Sequence, residues 1–124
     1  MLNNTDAIAT IAVKDIEVAK KFYEETLRLE PAPSPEQRVL TYKSGGSTVL
    51  VYESQYAGTN KATAMSWAVD DVENQVKELK DKGVSFEHYD FPGMTRKGDV
   101  HLTGRGKAAW FKDPDGNILA IVSR

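Results

Sequence analysis

Apolar and polar positions along the first part of the chain predict a strand followed by an amphipathic helix. Residues 7–13 form a short apolar run of the kind that predicts a strand. Asp15 then offers a helix N-cap, and apolar side chains recur at helical spacing through residues 16–27. The proline-rich stretch 31–35 cannot continue this helix, because proline lacks the amide donor and clashes with the preceding turn.

Two further apolar blocks complete the first half of the chain. Residues 38–43 and 48–53 alternate in the manner of strands, and they flank the turn sequence SGGS at 44–47. A glycine pair between two such blocks is typical of a β-hairpin. The first half therefore predicts the order strand, helix, strands.

The second half repeats this order. A helix is predicted after Asp70 or Asp71, either of which can cap it, and Gly83 is placed to end it. Strands are predicted before and after this helix and on both sides of the turn sequence DPDG, at residues 64–69, 84–89, 107–112 and 117–123. The stretch 90–106 is rich in glycine, has no clear periodicity, and is expected to be a long loop.

The repeat predicts two βαβββ modules within one domain that spans residues 1–124. The first module covers about 5–56 and the second about 62–124. A chain of 124 residues is long enough to bury a single core without disulfides or metals. Strand alternation gives the side chains expected to face the helices: Ala9, Ile11, Val13, Val49, Val51, Met65, Trp67, Val69, Leu119 and Ile121.

Composition excludes several classes of function. The chain has no cysteine, which excludes disulfides, thiolate nucleophiles and Cys-ligated metals. A net charge of −2 gives no electrostatic argument for nucleic acid binding, and no apolar run is long enough to cross a membrane. We therefore expect neither nucleic acid nor membrane as a partner. The N-terminus lacks a basic segment followed by an apolar run, so we expect no signal peptide and a cytoplasmic location.

Two segments, IATIAVKDIEVAKKFYEETLRLE and AAWFKDPDGNILAIV, are similar to the opening and closing motifs of the vicinal oxygen chelate superfamily. This superfamily includes glyoxalase I, bleomycin-resistance proteins, fosfomycin-resistance enzymes and extradiol dioxygenases. The resemblance implies an α+β fold in which the two modules form a half-open, U-shaped mixed β-barrel with the helices outside. It also implies a ligand on the concave side and pairing of the domain into a homodimer.

The resemblance also bears on metal binding. Metal-using members place His, Glu or Gln at four matched positions, which correspond here to Ile8, Leu50, Ala64 and Ala120. A divalent ion needs lone pairs converging at about 2.0–2.6 Å, and aliphatic side chains supply none. We therefore expect no metal and no cofactor at this place.

The two histidines leave an alternative metal site open. His88 lies in a predicted strand and His101 in the stretch 90–106, near Asp99. If this stretch folds over the strand, the three side chains form a two-histidine, one-carboxylate set. We favour the interpretation that both histidines face solvent. The same stretch is either an exposed loop or a cationic lid that favours an anionic ligand.

Strand alternation also predicts which side chains line the concave side. The expected ligand-binding residues are Ile8, Thr10, Leu50, Tyr52, Ala64, Ser66, Trp110 and Ala120. Small side chains leave volume and the hydroxyls orient a ligand, although small residues also let a sheet curl and fill its own barrel. Trp110 either stacks on a planar ligand or belongs to a core or dimer interface.

Three functional hypotheses follow from these features. The first is a metal-independent protein that binds a small molecule. The second is an enzyme, either a glyoxalase-like lyase or isomerase or a dioxygenase relative, with Glu87 and His101 as candidate catalytic groups. Glu87 shares one strand face with Tyr89 and acts as a base only if that face is the concave one. The third is a structural or regulatory dimer with a filled cavity.

Overall fold

The chain divides into two compact units, each built on one sheet with a helix against one face. The computed structural model describes residues 1–104 and 106–124. The units are Met1–Thr59 and Asn60–Arg124. Two helices and two mixed sheets make this an α+β protein, as predicted. Within the described residues, no helix has the length and apolarity needed to cross a bilayer.

The first unit has four strands and one helix, preceded by a short 3₁₀ turn at Leu2–Asn4. Its sheet has the order β1-β4-β3-β2, with β1 parallel to β4 and the other pairs antiparallel. Helix α1 continues into a π-helical stretch at Phe22–Thr26. The elements are β1 (Ala9–Val13), α1 (Ile16–Lys21), β2 (Glu30–Ala32), β3 (Val39–Ser44) and β4 (Ser47–Glu53).

Local chemistry explains where α1 begins and where its π-helical extension ends. Asp15 caps the helix as predicted, because its Oδ1 accepts from the amides of Glu17 at 2.9 Å and Val18 at 3.2 Å. After the π-helical stretch the backbone turns through Arg28, whose φ is +58°. Glycine usually occupies this left-handed position, and a side chain there costs conformational energy.

Apolar side chains between α1 and strands β3 and β4 form the core of the first unit. Tyr42 is buried there and stacks on Tyr23, with 6.3 Å between ring centroids. Its hydroxyl donates to Glu24 Oε2 at 2.7 Å, and burial together with this carboxylate raises the pKa of Tyr42 well above its ordinary value. The predicted helix-facing residues Ile11, Val13, Val49 and Val51 are all buried.

The second unit has six strands and one helix. The path of its sheet is β5-β10-β9-β8-β7, with β6 paired to β9 beyond the end of β8. Strand β5 is parallel to β10 and the remaining pairs are antiparallel. The elements are β5 (Thr63–Val69), α2 (Val72–Asp81), β6 (Phe86–Glu87), β7 (Thr95–Lys97), β8 (Val100–Thr103), β9 (Gly106–Lys112) and β10 (Ile118–Ser123).

The stretch 90–106 is not the long loop that the sequence predicted. It contains the hairpin β7–β8, which turns at Gly98 with a φ of +64° and extends the sheet through pairing of β8 with β9. These strands are only three and four residues long, so they carry too little alternation to be recognised in the sequence. Conversely, the strand predicted at 84–89 is reduced to β6. Arg105 belongs to this stretch, for which the sequence predicts either an exposed loop or a cationic lid, but it lies outside the described residues.

Helix α2 packs against β8, β9 and β10. Asp71, not Asp70, caps it by accepting from the amide of Asn74 at 3.0 Å, and Gly83 follows the helix with a φ of +93°. Beneath the helix, the predicted helix-facing residues Leu119 and Ile121 are buried, whereas Met65, Trp67 and Val69 are partly buried.

The DPDGN turn between β9 and β10 is held by one buried carboxylate. Asp113 is 4% exposed, and its Oδ1 accepts from the amides of Asp115 and Asn117, both at 2.9 Å. Its Oδ2 accepts from Asn117 Nδ2 at 2.7 Å. These bonds use the Asp113 carboxylate within the turn itself, as in an Asx turn. They also fix the register in which Trp110 lies opposite Ala120.

Candidate ligand-binding site

Strand register in the second unit aligns the candidate residues in two rows across one face of the sheet. Glu87, Trp110, Ala120 and Ser66 are successive Cα partners in the first row, across β6, β9, β10 and β5. The second row runs across β8, β9, β10 and β5 through His101, Ala108, Val122 and Ala68. Members of the two rows are two residues apart on each long strand, so their side chains share a face.

We call these eight residues the helix-free face. Helix α2 packs on the opposite side of the sheet, where Ala109 and Phe111 of β9 are fully buried. Ser66 and Ala68 are exposed, while Trp110 and Val122 are partly buried. Glu87 therefore lies on the same face as Ala120. This is the face that strand alternation predicted to bind a ligand, and the sequence had left open whether Glu87 lies on it. Small exposed side chains and one large aromatic side chain therefore lie together on this face.

The indole of Trp110 is fixed in position. Its Nε1 donates to Thr63 Oγ1 on β5 at 3.1 Å. Strand β10 lies between β9 and β5, so the indole has to cross β10 to make this bond. This crossing explains why Ala120, the Cα partner of Trp110, is only 1% exposed. A methyl group at position 120 is what leaves room for the ring.

A register shift explains how Thr63 reaches the indole. The pairing of β10 with β5 passes from Ile118 opposite Thr63 to Leu119 opposite Met65, which leaves Ala64 as an extra residue. Such a bulge breaks the alternation of side chains along a strand. Thr63 was therefore missed in the sequence. Strand alternation predicts Val122 on this face, and Ala68 and Ala108 follow from the same rule and could have been predicted.

His101 contradicts the expectation that both histidines face solvent. It is 0% exposed, because β8 pairs with β9 and places it opposite Ala108. Its Nε2 accepts from the amide of Tyr89 at 2.9 Å. An accepting Nε2 carries no hydrogen, so a neutral ring carries its proton on Nδ1. This Nδ1 is buried and has no hydrogen-bond partner within residues 1–104 and 106–124.

Aromatic rings surround His101 on this face. The Trp110 ring lies edge-to-face with it, with 4.8 Å between centroids and 81° between planes. Tyr89 contacts both, at 6.1 Å from His101 and 5.4 Å from Trp110, and Phe91 follows at 5.9 Å from Tyr89. Burial raises the pKa of Tyr89, and the Glu87 carboxylate adds to the increase. Glu87 itself pairs with Lys112, with 3.4 Å between Oε1 and Nζ.

Asp99, which directly precedes β8, contacts Lys80 of α2 and His88 but does not complete a metal site. Its carboxylate contacts Lys80 Nζ and His88 Nε2, each at 2.7 Å. Lys80, and after it His88, holds the pKa of Asp99 below its usual range. His88 is exposed, as predicted, whereas His101 is turned to the amide of Tyr89. In the part of the chain that the structure describes, no three His, Asp or Glu side chains form a group that could hold a metal ion.

The four positions that the resemblance assigned to metal ligands do not fit a divalent cation. In the first unit, Ile8 precedes β1 and is 50% exposed, and Leu50 lies in β4. In the second unit, Ala64 is the bulge residue and Ala120 lies beneath the indole. Hydrocarbon side chains offer no electron pairs, and the space above Ala120 holds Trp110.

The remaining predicted ligand-binding residues lie in the first unit. Thr10 and Leu50 are Cα partners in the parallel pair β1–β4, and Tyr52 follows Leu50 on the same face of β4. Thr10 is exposed, Leu50 partly buried and Tyr52 38% exposed. The predicted set is therefore divided between two sheets, with four residues in each unit.

Comparison with known proteins agrees with this architecture. Residues 6–121 match the family model of the Glyoxalase/Bleomycin resistance protein/Dioxygenase superfamily. No curated protein matches the chain.

Several solved structures have the same fold. A glyoxalase family protein from Enterococcus faecalis matches with a TM-score of 0.74 and 20% identity, covering 98% of this chain and 99% of the other. The fosfomycin resistance protein FosX from Listeria monocytogenes matches at 0.73 and 14%, covering 98% and 93%. TnmS3, an antibiotic binding protein from Streptomyces sp. CB03234, matches at 0.60 and 22%, covering 97% of each chain. With its family model matched from residue 6 to residue 121, the chain belongs to the Glyoxalase/Bleomycin resistance protein/Dioxygenase superfamily.

Proposed function

We propose that this protein binds a small planar molecule on the helix-free face of the second sheet, without a metal ion. The observation that carries the proposal is the fixed indole of Trp110 beside the exposed small side chains of Ser66 and Ala68. An aromatic ring already held by a hydrogen bond loses little conformational freedom when a ligand stacks on it. Each stacked ring pair contributes about 0.5–1.5 kcal/mol beyond the burial of its area.

The side chains at the four positions that metal-using relatives fill with ligands support binding without a metal ion. The family positions Ile8, Leu50, Ala64 and Ala120 are all aliphatic, so a ligand cannot be held there through a chelated cation. Affinity then has to come from apolar contact and from a few polar groups, as in most small-molecule sites. The structural relative TnmS3 is described as antibiotic binding, which shows that this fold can serve a binding role.

A single-tryptophan variant tests the proposal. The chain has two tryptophans, and Trp67→Phe leaves Trp110 as the only indole while a ring at position 67 still faces Phe111. We expect naphthoate or naphthylmethylammonium, titrated in the presence of EDTA, to change Trp110 emission in a saturable way with one molecule bound per chain. Trp67→Phe combined with Trp110→Leu is the matched control and should not respond. If neither naphthalene probe binds, the proposal is wrong.

One observation favours an enzyme as the second candidate function. Glu87 is the Cα partner of Trp110, so its carboxylate lies beside the proposed ligand on the same face. In this alternative Glu87 is a base in a glyoxalase-like lyase or isomerase. Turnover of a hemithioacetal that is abolished by Glu87→Gln, with the fold intact, would establish it. Absence of turnover with and without added Ni²⁺, Fe²⁺ and Mn²⁺ would leave the binding function.

We also infer that the protein forms a homodimer. On the first unit, Ile8 is 50% exposed and Tyr52 38% exposed, beside the exposed Thr10. Ile8 directly precedes β1, and Tyr52 lies in β4, the strand paired with β1. Exposed apolar side chains grouped in this way are typical of a surface that a partner covers. Light scattering should give twice the chain mass of 13.7 kDa, and Tyr52→Lys should shift it toward the monomer. A monomer at all concentrations would contradict the inference.

A further inference from the structure

We propose that His101 is the polar anchor of this binding site, and that its Nδ1–H donates a hydrogen bond to an acceptor oxygen of the bound molecule. The inference rests on the proposed function and adds to it the chemical class of the ligand. That class is planar aromatic compounds that carry a carboxylate, carbonyl or phenolate oxygen.

The hydrogen bond to Nε2 determines the tautomer of the His101 ring. Nε2 accepts from the amide of Tyr89 at 2.9 Å, so it carries no hydrogen. In a neutral imidazole the hydrogen then lies on Nδ1, which can only donate. A ligand that presents an ammonium or hydroxyl hydrogen to Nδ1 gains nothing, whereas a ligand oxygen gains a hydrogen bond.

The Nδ1–H of His101 is a buried donor with no acceptor among the described residues. His101 is 0% exposed, and within residues 1–104 and 106–124 its Nδ1 has no hydrogen-bond partner. Buried polar groups in folded proteins are almost always paired, so an exception calls for an explanation. A ligand that supplies the acceptor is one such explanation. Among residues 1–104 and 106–124, the other buried polar residues are Asp113 and Asn117, which hydrogen-bond to each other within the DPDGN turn.

The position of His101 places it beside the indole on which the ligand stacks. His101 is the Cα partner of Ala108, and its ring contacts Trp110 at 4.8 Å, so it stands on the helix-free face. Ala108, Val122 and Ala68 continue its row across the sheet. A planar molecule that stacks on the indole therefore has its edge near the imidazole, with only small side chains along the row.

Access requires one side chain to move. Since His101 is covered in the free protein, a ligand oxygen reaches it only when a neighbour yields. Tyr89 is that neighbour, because its ring contacts both His101 and Trp110 and lies beside the exposed ring of Phe91. The indole of Trp110 stays in place, held by its hydrogen bond to Thr63 Oγ1 at 3.1 Å. Thr63→Val removes this bond and keeps the side-chain shape. We expect the variant to bind naphthoate more weakly, since the indole is no longer held in position before the ligand stacks on it.

Nitrogen NMR of the histidine rings tests the tautomer and the contact directly. In the free protein at pH 7.5, we expect His101 to show a protonated Nδ1 and a bare Nε2. Adding naphthoate should shift the Nδ1–H proton of His101 downfield, and adding naphthylmethylammonium should not. A protonated Nε2 in the free protein would overturn the proposal. So would a naphthoate complex in which the His101 signals stay unchanged.

Matched variants test the energetic role. His101→Phe keeps an aromatic ring against Trp110 but removes both nitrogens, and we expect it to weaken naphthoate binding about 10- to 100-fold. His101→Gln offers an amide oxygen to Tyr89 and an amide hydrogen to the ligand, so it should recover most of the loss, and it serves where the Phe variant fails to fold. His88→Phe, on the exposed histidine, should leave binding unchanged.

The outcomes separate the two proposals. If naphthoate binds wild-type protein and the folded His101 variants equally well, the anchor is wrong and the binding function stands. If naphthylmethylammonium binds as tightly as naphthoate, the oxygen-acceptor class is wrong. If neither probe binds the wild-type protein, both proposals fail together.

Discussion

Replacement of Asp113 by alanine tests whether the DPDGN turn sets the register of the candidate site. The change removes the acceptor of three hydrogen bonds, from the Asp115 amide and from the amide and side chain of Asn117. Hydrogen bonds to a charged group contribute about 1.5–3 kcal/mol each. Asp115 is partly exposed and its amide recovers a bond to water, whereas Asn117 is 7% exposed and does not. We therefore expect Asp113→Ala to lower the free energy of unfolding by about 4 kcal/mol.

Urea denaturation of the wild-type protein and two variants provides the assay. For a chain of 124 residues, about 4 kcal/mol corresponds to a fall of about 15 °C in Tm, so thermal unfolding serves as an independent check. Asp113→Asn is the matched control, because it keeps an oxygen for the two backbone amides and loses only the acceptor for Asn117 Nδ2. It should cost about 1–2 kcal/mol. A loss below about 1 kcal/mol for the alanine variant would refute the reasoning, as would equal losses for both variants.

Three other substitutions give separable outcomes. Ala120→Leu should displace the indole of Trp110, cost about 1–3 kcal/mol and red-shift its emission in the Trp67→Phe background; unchanged emission would show that the ring does not cover this position. Asp99→Asn should destabilise the protein at neutral pH. Because the pKa of Asp99 is lowered in the folded state, its contribution is present above about pH 4 and disappears as pH falls below that, so the gap in urea stability should close in acid. Arg28→Gly should stabilise the protein by about 1 kcal/mol in urea, since φ there is +58°, and a loss of stability would contradict the strain.

Elements with strong local chemistry could be predicted from the sequence. The cap at Asp15, the glycine after α2 and the two turn sequences all rest on contacts between residues close in the chain. The helix-facing residues also followed, because a sheet with one covered face imposes a period of two on its apolar positions. Leu119, for example, was expected beneath the helix and is fully buried.

Long-range pairing could not be predicted in the same way. The strands of the hairpin β7–β8 are too short for their alternation to be recognised, so the pairing of β8 with β9 was not foreseen. Without that pairing His101 was placed in a solvent-exposed loop, whereas the register puts it beside Ala108 in the interior of the sheet face. The bulge at Ala64, which brings Thr63 to the indole, likewise depends on the register between two strands distant in sequence.

Local conformational strain was also not visible in the sequence. The π-helical stretch Phe22–Thr26 and the left-handed backbone of Arg28 occur where helix propensity alone predicts a regular helix. Helix propensity is a weak signal that tertiary context overrides, so neither feature follows from the residue types alone. The conclusion that position 120 cannot bind a metal ion did not depend on these details, since the side chain of alanine carries no lone pair in any conformation.

The most direct measurement is a crystal structure of EDTA-treated protein grown with naphthoate. We predict electron density for the naphthalene ring over Trp110, with a carboxylate oxygen within hydrogen-bond distance of His101 Nδ1 and no ion between them. A naphthoate molecule seated elsewhere on the protein would contradict this account. Naphthoate density that appears on this face only after a divalent cation is added back would contradict metal-independent binding.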